Sequence, residues 1–239
     1  MKSIAPRAGA ERDSGLPALA EGSVTANVFH RTFHIPGPAG RLEAMLWTVG
    51  DRNPKSAALV CHPHPLFGGT MHNKVVFQTA KALHQGGLPV LRFNFRGAGL
   101  SDGEHDEGRG ERDDVRAALD YLGHEFPGQP ILLAGFSFGA SVGLRVGCDD
   151  PRVTRLLGLG LPVDNSDLSY LRTCAKPKLI VQGERDQFGS LANLAALFER
   201  LPEPKRLVII EAADHFFTGQ LDRVGTAITE WVGRDGSPG

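Results

Sequence analysis

Cysteine is scarce: the 239 residues hold three, Cys61, Cys148 and Cys174, an odd number with no metal-like spacing. That excludes a disulfide-stapled scaffold and a thiolate metal site. Two of the three adjoin apolar runs, where a reduced thiol packs as a small hydrophobe, and a cytoplasmic location is expected. An excess of one charge is also missing, with 26 Lys and Arg against 27 Asp and Glu for a net charge of −1. Nothing in that balance recruits nucleic acid or an anionic membrane, so neither is an expected partner. The longest apolar runs are strand-length, well short of the ~20 residues a membrane-spanning helix needs. Residues 1–24 are rich in Ala, Gly, Pro and charge, and lack the apolar stretch of a signal peptide. They read as a disordered leader, and Glu11, Asp13 and Glu21 argue against a transit peptide.

What the chain does have is material for a core, at 41% hydrophobic and 22% charged residues. Its length suits one domain over residues 25–239. No repeat or low-complexity linker follows the leader. Two β-rich segments, 27–35 and 42–49, flank the turn residues Pro36-Gly37-Pro38-Ala39-Gly40. Strands are then expected at 57–61, 90–95, 131–134, 153–161, 178–182 and 206–211. Helices are expected between and after them, at 73–85, 112–125, 138–147, 191–201 and 221–232. In the second of these, Val115, Ala118, Leu119 and Leu122 keep the 3.6-residue period. The alternation predicts an α/β fold: a mainly parallel sheet with an antiparallel start and helices on both faces. Active sites in such sheets lie beyond the C-terminal strand ends.

At one of those ends stands Gly135-Phe136-Ser137-Phe138-Gly139, directly after the apolar run Ile131-Leu132-Leu133-Ala134 and before Ala140-Ser141-Val142-Gly143-Leu144. Alone, a G-x-S-x-G pentapeptide matches by chance. Between a strand and a helix it forces the serine into a tight turn beside the helix's free N–H groups. Ser137 is therefore the candidate nucleophile. A serine hydroxyl needs a base, usually a histidine oriented by a carboxylate. His215, in Ala213-Asp214-His215-Phe216, follows the strand residues Leu207-Val208-Ile209-Ile210, and Asp186 follows Leu179-Ile180-Val181. The chain order Ser, Asp, His fits a nucleophile elbow. Asp164 remains a rival acid because it too follows a strand; Asp214 and Glu184 are neighbours expected to point elsewhere.

Stabilising the developing oxyanion takes two backbone N–H groups. Phe138, next to the nucleophile, is one candidate. The loop His62-Pro63-His64-Pro65 offers the other, since the prolines have no N–H and leave His64 as the donor between them. His62, His64 and His72 also admit a metal-site reading, but no carboxylate or cysteine follows at ligand spacing, and no metal is expected. Gly97, Gly99 and Gly103 follow a strand, yet their spacing is one residue too long for a dinucleotide fingerprint. They are expected to shape a tight turn beneath the active-site loops, and no cofactor is expected.

Together with Gly68-Gly69-Thr70-Met71, Asn73-Lys74-Val75-Val76 and Phe93-Asn94-Phe95-Arg96-Gly97, these residues resemble the α/β-hydrolase superfamily over nearly all of the chain after the leader. The closer likeness is to a bacterial group of small, lidless, dienelactone-hydrolase-like hydrolases and esterases. The resemblance implies an eight-stranded sheet and a triad carried by Ser137, Asp186 and His215. It implies no substrate, and dienelactone hydrolase itself uses a cysteine where this chain has Ser137. Only residues 162–177 are available for a cap, with one short helix among them. That predicts an open site for short, soluble esters. Phe67, Phe136, Phe138, Phe188, Phe216 and Phe217 fall near the active loops, with core packing the favoured role for Phe136.

The expected activity is hydrolysis of a small carboxylic ester through an acyl-enzyme, by a monomer or homodimer. Thioester, amide or peptide hydrolysis would use the same parts. A binding protein on this scaffold and a cofactor-free, haloperoxidase-like oxidoreductase are alternatives from other classes.

Overall fold

In the computed structural model, residues 29–48, 50 and 54–234 are described, together with Met1. The remainder of the expected leader lies outside the described residues. Eight strands form one sheet in the order β1-β2-β4-β3-β5-β6-β7-β8. β1 (Phe29–Gly37) and β2 (Gly40–Thr48) make an antiparallel hairpin, closed between Gly37 and Gly40. β2 pairs antiparallel with β4 (Val90–Phe93), and from there every pairing is parallel. The parallel set is completed by β3 (Ala57–Cys61), β5 (Ile131–Phe136), β6 (Val153–Leu159), β7 (Lys178–Gly183) and β8 (Lys205–Ile210).

The central strands are apolar throughout because both of their faces are covered. Ala57, Leu59 and Cys61 of β3 face one core and Ala58 and Val60 the other; on β5, Ile131 and Leu133 oppose Leu132, Ala134 and Phe136. This is the two-residue strand period dividing one run between two helical layers. The first layer holds α2 (Arg109–Glu125), α3 (Phe138–Asp149) and α4 (Leu191–Glu199). The second holds α1 (Lys74–Gln85) and α5 (Leu221–Arg234). Leu59 and Leu133 are fully buried, and truncating either to alanine would cost about 2–5 kcal/mol.

The strand order reverses at β3: the chain leaves it for β4 on one side and later returns to β5 on the other. Ligands in open α/β sheets bind in the crevice at such a reversal. The loop after β3 carries His64, and the turn after β5 carries Ser137. Cover over this edge is slight, since residues 160–177 between β6 and β7 contribute one 3-10 turn, Ser169–Thr173. Among the described residues, no helix is long and apolar enough to cross a membrane.

Candidate active site

Ser137 occupies the join between β5 and α3 with φ 54° and ψ −120°, a left-handed conformation that a non-glycine residue adopts only under constraint. The flanking glycines explain how the turn closes. A Cβ on Gly135 would meet the Gly139 carbonyl and stand 2.6 Å from Ala140 Cα; one on Gly139 would run into the carbonyls of His62 and Cys61. The elbow is thus pressed against its own helix on one side and against the loop after β3 on the other.

The imidazole of His215 lies against the Ser137 hydroxyl. Its Nε2 lies 2.9 Å from Ser137 Oγ, and its Nδ1 lies 2.8 Å from Asp186 Oδ2. His215 is 2% exposed and Asp186 7%, so the contact is shielded from water. Asp186 is held from several directions: Oδ1 accepts from the N–H groups of Phe188 and Gly189, at 2.8 and 3.1 Å. Oδ2 also accepts from Gln182 Nε2 at 2.9 Å. With its carboxylate fixed, Asp186 favours the His215 tautomer that carries the proton on Nδ1 and leaves Nε2 to accept.

The competing acids are engaged elsewhere. Asp164 accepts from the N–H and hydroxyl of Ser190 and from Asn193 Nδ2, which ties it to the start of α4. Asp214 binds Phe216 N–H and the N–H and hydroxyl of Thr218. Glu184 accepts from Ala212 N–H.

The loop after β3 is braced by its own residues. His62 is buried, with Nδ1 2.6 Å from the Pro63 carbonyl and Nε2 accepting from Phe95 N–H at 2.9 Å. Both ring nitrogens are occupied in joining the end of β3 to the end of β4. Burial lowers the pKa of this imidazole to about 4. The His64 carbonyl accepts from Phe67 and Gly69, which closes the 3-10 turn Pro65–Phe67. No hydrogen bond ties the His64 N–H to another described residue, and Phe138 is the first residue of α3, where an N–H has no partner in its own helix. The rings of His64 and Phe138 lie 4.7 Å apart, so the two candidate donors belong to touching residues. Behind them, the His105 ring lies tilted against that of His64, centroids 4.7 Å apart, and stands 2.9 Å from the buried carboxylate of Glu111. The His64 imidazole is held below its usual pKa, chiefly by burial and then by His105, with Glu111 opposing.

These residues open onto a cavity of about 750 Å³. A smaller depression of about 420 Å³ between α1 and α5 has no such cluster. The six phenylalanines near the loops divide by role. Phe217 is pure core, and Phe136 is fully buried while its ring also lies 5.0 Å from His215. Phe138 packs against the first core, whereas Phe67, Phe188 and Phe216 are exposed on the cavity rim. The turn of Gly97, Gly99 and Gly103 has positive φ at all three, and a Cβ on Gly99 would strike Asn94. Sequence reasoning did not single out Gln182, His105 and Glu111, nor Arg112, Ser141 and Arg145 along the cavity wall. A polar Gln182 closing an apolar strand was the one visible signal among them.

The sheet order, the strained serine at a strand–helix join and the loosely capped edge together define a class, the open α/β sheets with a nucleophile elbow. Residues 57–230 match the family model described as alpha/beta hydrolase domain. The chain belongs to the alpha/beta-hydrolase family. It is 38% identical to an uncharacterized protein of Rickettsia prowazekii, over 82% of this chain and 86% of that one. An alpha-beta serine hydrolase homologue from Coxiella burnetii superposes with a TM-score of 0.80 at 38% identity, covering 87% of this chain and 99% of the other. A lidless a/b serine hydrolase from Xanthomonas campestris gives 0.79 at 34% identity, over 86% and 94%. Family and neighbours support hydrolase activity.

Proposed function

We propose that the chain is a serine esterase acting on small, soluble carboxylic esters through an acyl-enzyme. The observation that carries this reading is the run of contacts from Ser137 Oγ to His215 Nε2 and from His215 Nδ1 to Asp186 Oδ2, at 2.9 and 2.8 Å, the second of them buried. Ser137 Oγ attacks the ester carbonyl while His215 Nε2 takes its proton, and Asp186 steadies the imidazolium. The N–H groups of His64 and Phe138 receive the oxyanion. His215 then protonates the leaving alcohol, and a water activated by the same nitrogen releases the acid. The open, partly apolar cavity and the short segment between β6 and β7 support small soluble substrates over long lipids. The free thiols of Cys61, Cys148 and Cys174 fit the cytoplasmic location we assign.

A fluorophosphonate probe should label the wild-type protein at Ser137 and leave Ser137→Ala unlabelled. Unlabelled wild type, or equal labelling of the variant, would sink the reading. Comparing p-nitrophenyl acetate, acetyl-CoA and an aminoacyl anilide should place the oxygen ester first in kcat/KM; a higher rank for either of the others reassigns the bond cleaved.

A further inference from the structure

Along α3 the cavity wall has a helical stripe. Ser137 caps the helix, and Ser141 and Arg145 follow at four-residue steps, so all three share one face and all three line the cavity. Ser141 stands about 6 Å along the axis from Ser137 and Arg145 about 12 Å. The Ser141 hydroxyl is buried and has no hydrogen-bond partner. A buried hydroxyl left this way is costly unless a ligand completes it.

Arg112, from the neighbouring helix α2, is half-buried and lines the same stretch. The charges around it are otherwise matched. Asp167 Oδ2 accepts from Arg145 Nη2 at 3.0 Å, and Glu107 lies 3.5 Å from Arg109. Arg145 is further anchored by the Asp167 carbonyl at 3.1 Å and by the Tyr170 ring at 4.3 Å. The Arg112 side chain has no ion pair or hydrogen bond with any described residue. A guanidinium facing a cavity with five N–H donors uncommitted is suited to a carboxylate or phosphate.

We propose that this wall selects esters carrying an anionic group on the acyl arm, bound by Arg112 with Ser141 as a second donor. The assignment to the acyl arm follows from the relay: the leaving alcohol must lie beside His215, which is flanked by Phe188 and Phe216 on another side of the cavity. An extended chain advances about 1.2 Å per bond, so five bonds from the carbonyl carbon reach about 6 Å, level with Ser141 in the cavity that Arg112 also lines. A monoester of a short dicarboxylic acid has that shape. The inference rests on the serine-esterase reading and adds the substrate class to it.

Three p-nitrophenyl esters of matched length make the test: the adipate monoester, its methyl-capped neutral analogue and the cationic 6-aminohexanoate. Wild type should favour the anion over the neutral ester by about 10- to 100-fold in kcat/KM, the worth of a charge-assisted hydrogen bond, and should disfavour the cation. The ratio should shrink as salt rises from about 0.05 to about 0.5 M. In Arg112→Gln, which keeps a good helix former, the ratio should fall towards one. Reading a ratio within each protein separates lost recognition from lost folding, which lowers all three rates together. Equal rates for anionic and neutral esters in wild type, or an unchanged ratio in Arg112→Gln, overturn the inference while the esterase reading stands. Turnover of none of the three, with Ser137 unlabelled by fluorophosphonate, takes both down.

Discussion

On the side of the cavity built by β7, β8 and their loops, both carboxylate oxygens of Asp186 have two donors each and His215 uses both ring nitrogens. On the side built by α2 and α3, the Ser141 hydroxyl has no partner, and Arg112 has none among the described residues. The first arrangement suits a device that must hold one geometry through a reaction. The second suits a surface whose partners arrive with the substrate. Low local dielectric magnifies both effects: it strengthens the satisfied network and makes the unsatisfied groups expensive. Polar satisfaction therefore separates the wall we propose for the chemistry from the wall we propose for substrate choice.

The largest expected effect comes from breaking the satisfied side. Asp186→Asn keeps the size of the side chain but turns one of its acceptors into a donor. The His215 tautomer then inverts, and kcat/KM on p-nitrophenyl acetate should fall about 10⁴-fold. Asp164→Asn, measured alongside, should stay within about twofold, because Asp164 is committed to Ser190 and Asn193. A large loss in the Asp164 variant with a mild one in Asp186→Asn would exchange their roles.

A second break is by acid. His62 has its folded pKa lowered to about 4, below the unfolded value near 6.5, so between those values the unfolded chain binds more protons. Its share of stability is full above about 6.5 and is lost as pH falls through that window towards 4, on the order of 3 kcal/mol in all. Urea midpoints at about pH 7.5 and about pH 4.5 should therefore separate more in wild type than in His62→Gln. The substituted amide does not titrate and still offers Phe95 N–H an acceptor. Equal acid losses in the two proteins would show that His62 is not the group that links loop and pH.

The two sides also differed in how far the sequence revealed them. Ser137, Asp186 and His215 are legible because each ends an apolar strand run, and a parallel sheet sends all such ends to one edge. Element boundaries moved where a residue's conformation was set by tertiary contacts. β6 stops at Leu159 because Gly160 turns to φ 52°, and β4 ends short because, one residue past a last backbone bond from Asn94 to Glu43 of β2, the Phe95 N–H goes to the His62 ring instead of a neighbouring strand. α2 starts at Arg109, three residues before the expected start at 112, since the Glu111 carboxylate accepts the N–H groups of Asp106 and Gly108 ahead of the helix. The cavity wall was illegible for a different reason. Ser141 and Arg112 are unremarkable residues on helices, and their lack of partners is a property of the packed structure alone.

The smallest effect sharpens the comparison from the other side. On the relay wall, removing a polar partner strands another buried group. The Ser141 hydroxyl has no such partner to strand, so Ser141→Ala removes an unsatisfied buried group, adds a good helix former and leaves the Tyr170 bond to the Ser141 carbonyl in place. Its urea midpoint should match wild type or rise by up to about 1 kcal/mol of stability. A rise would identify the hydroxyl as a cost kept in the fold for binding, the usual direction of a stability–function trade-off. A loss above about 1 kcal/mol would mean that the hydroxyl is satisfied in solution, and the contrast between the two walls would rest on Arg112 alone.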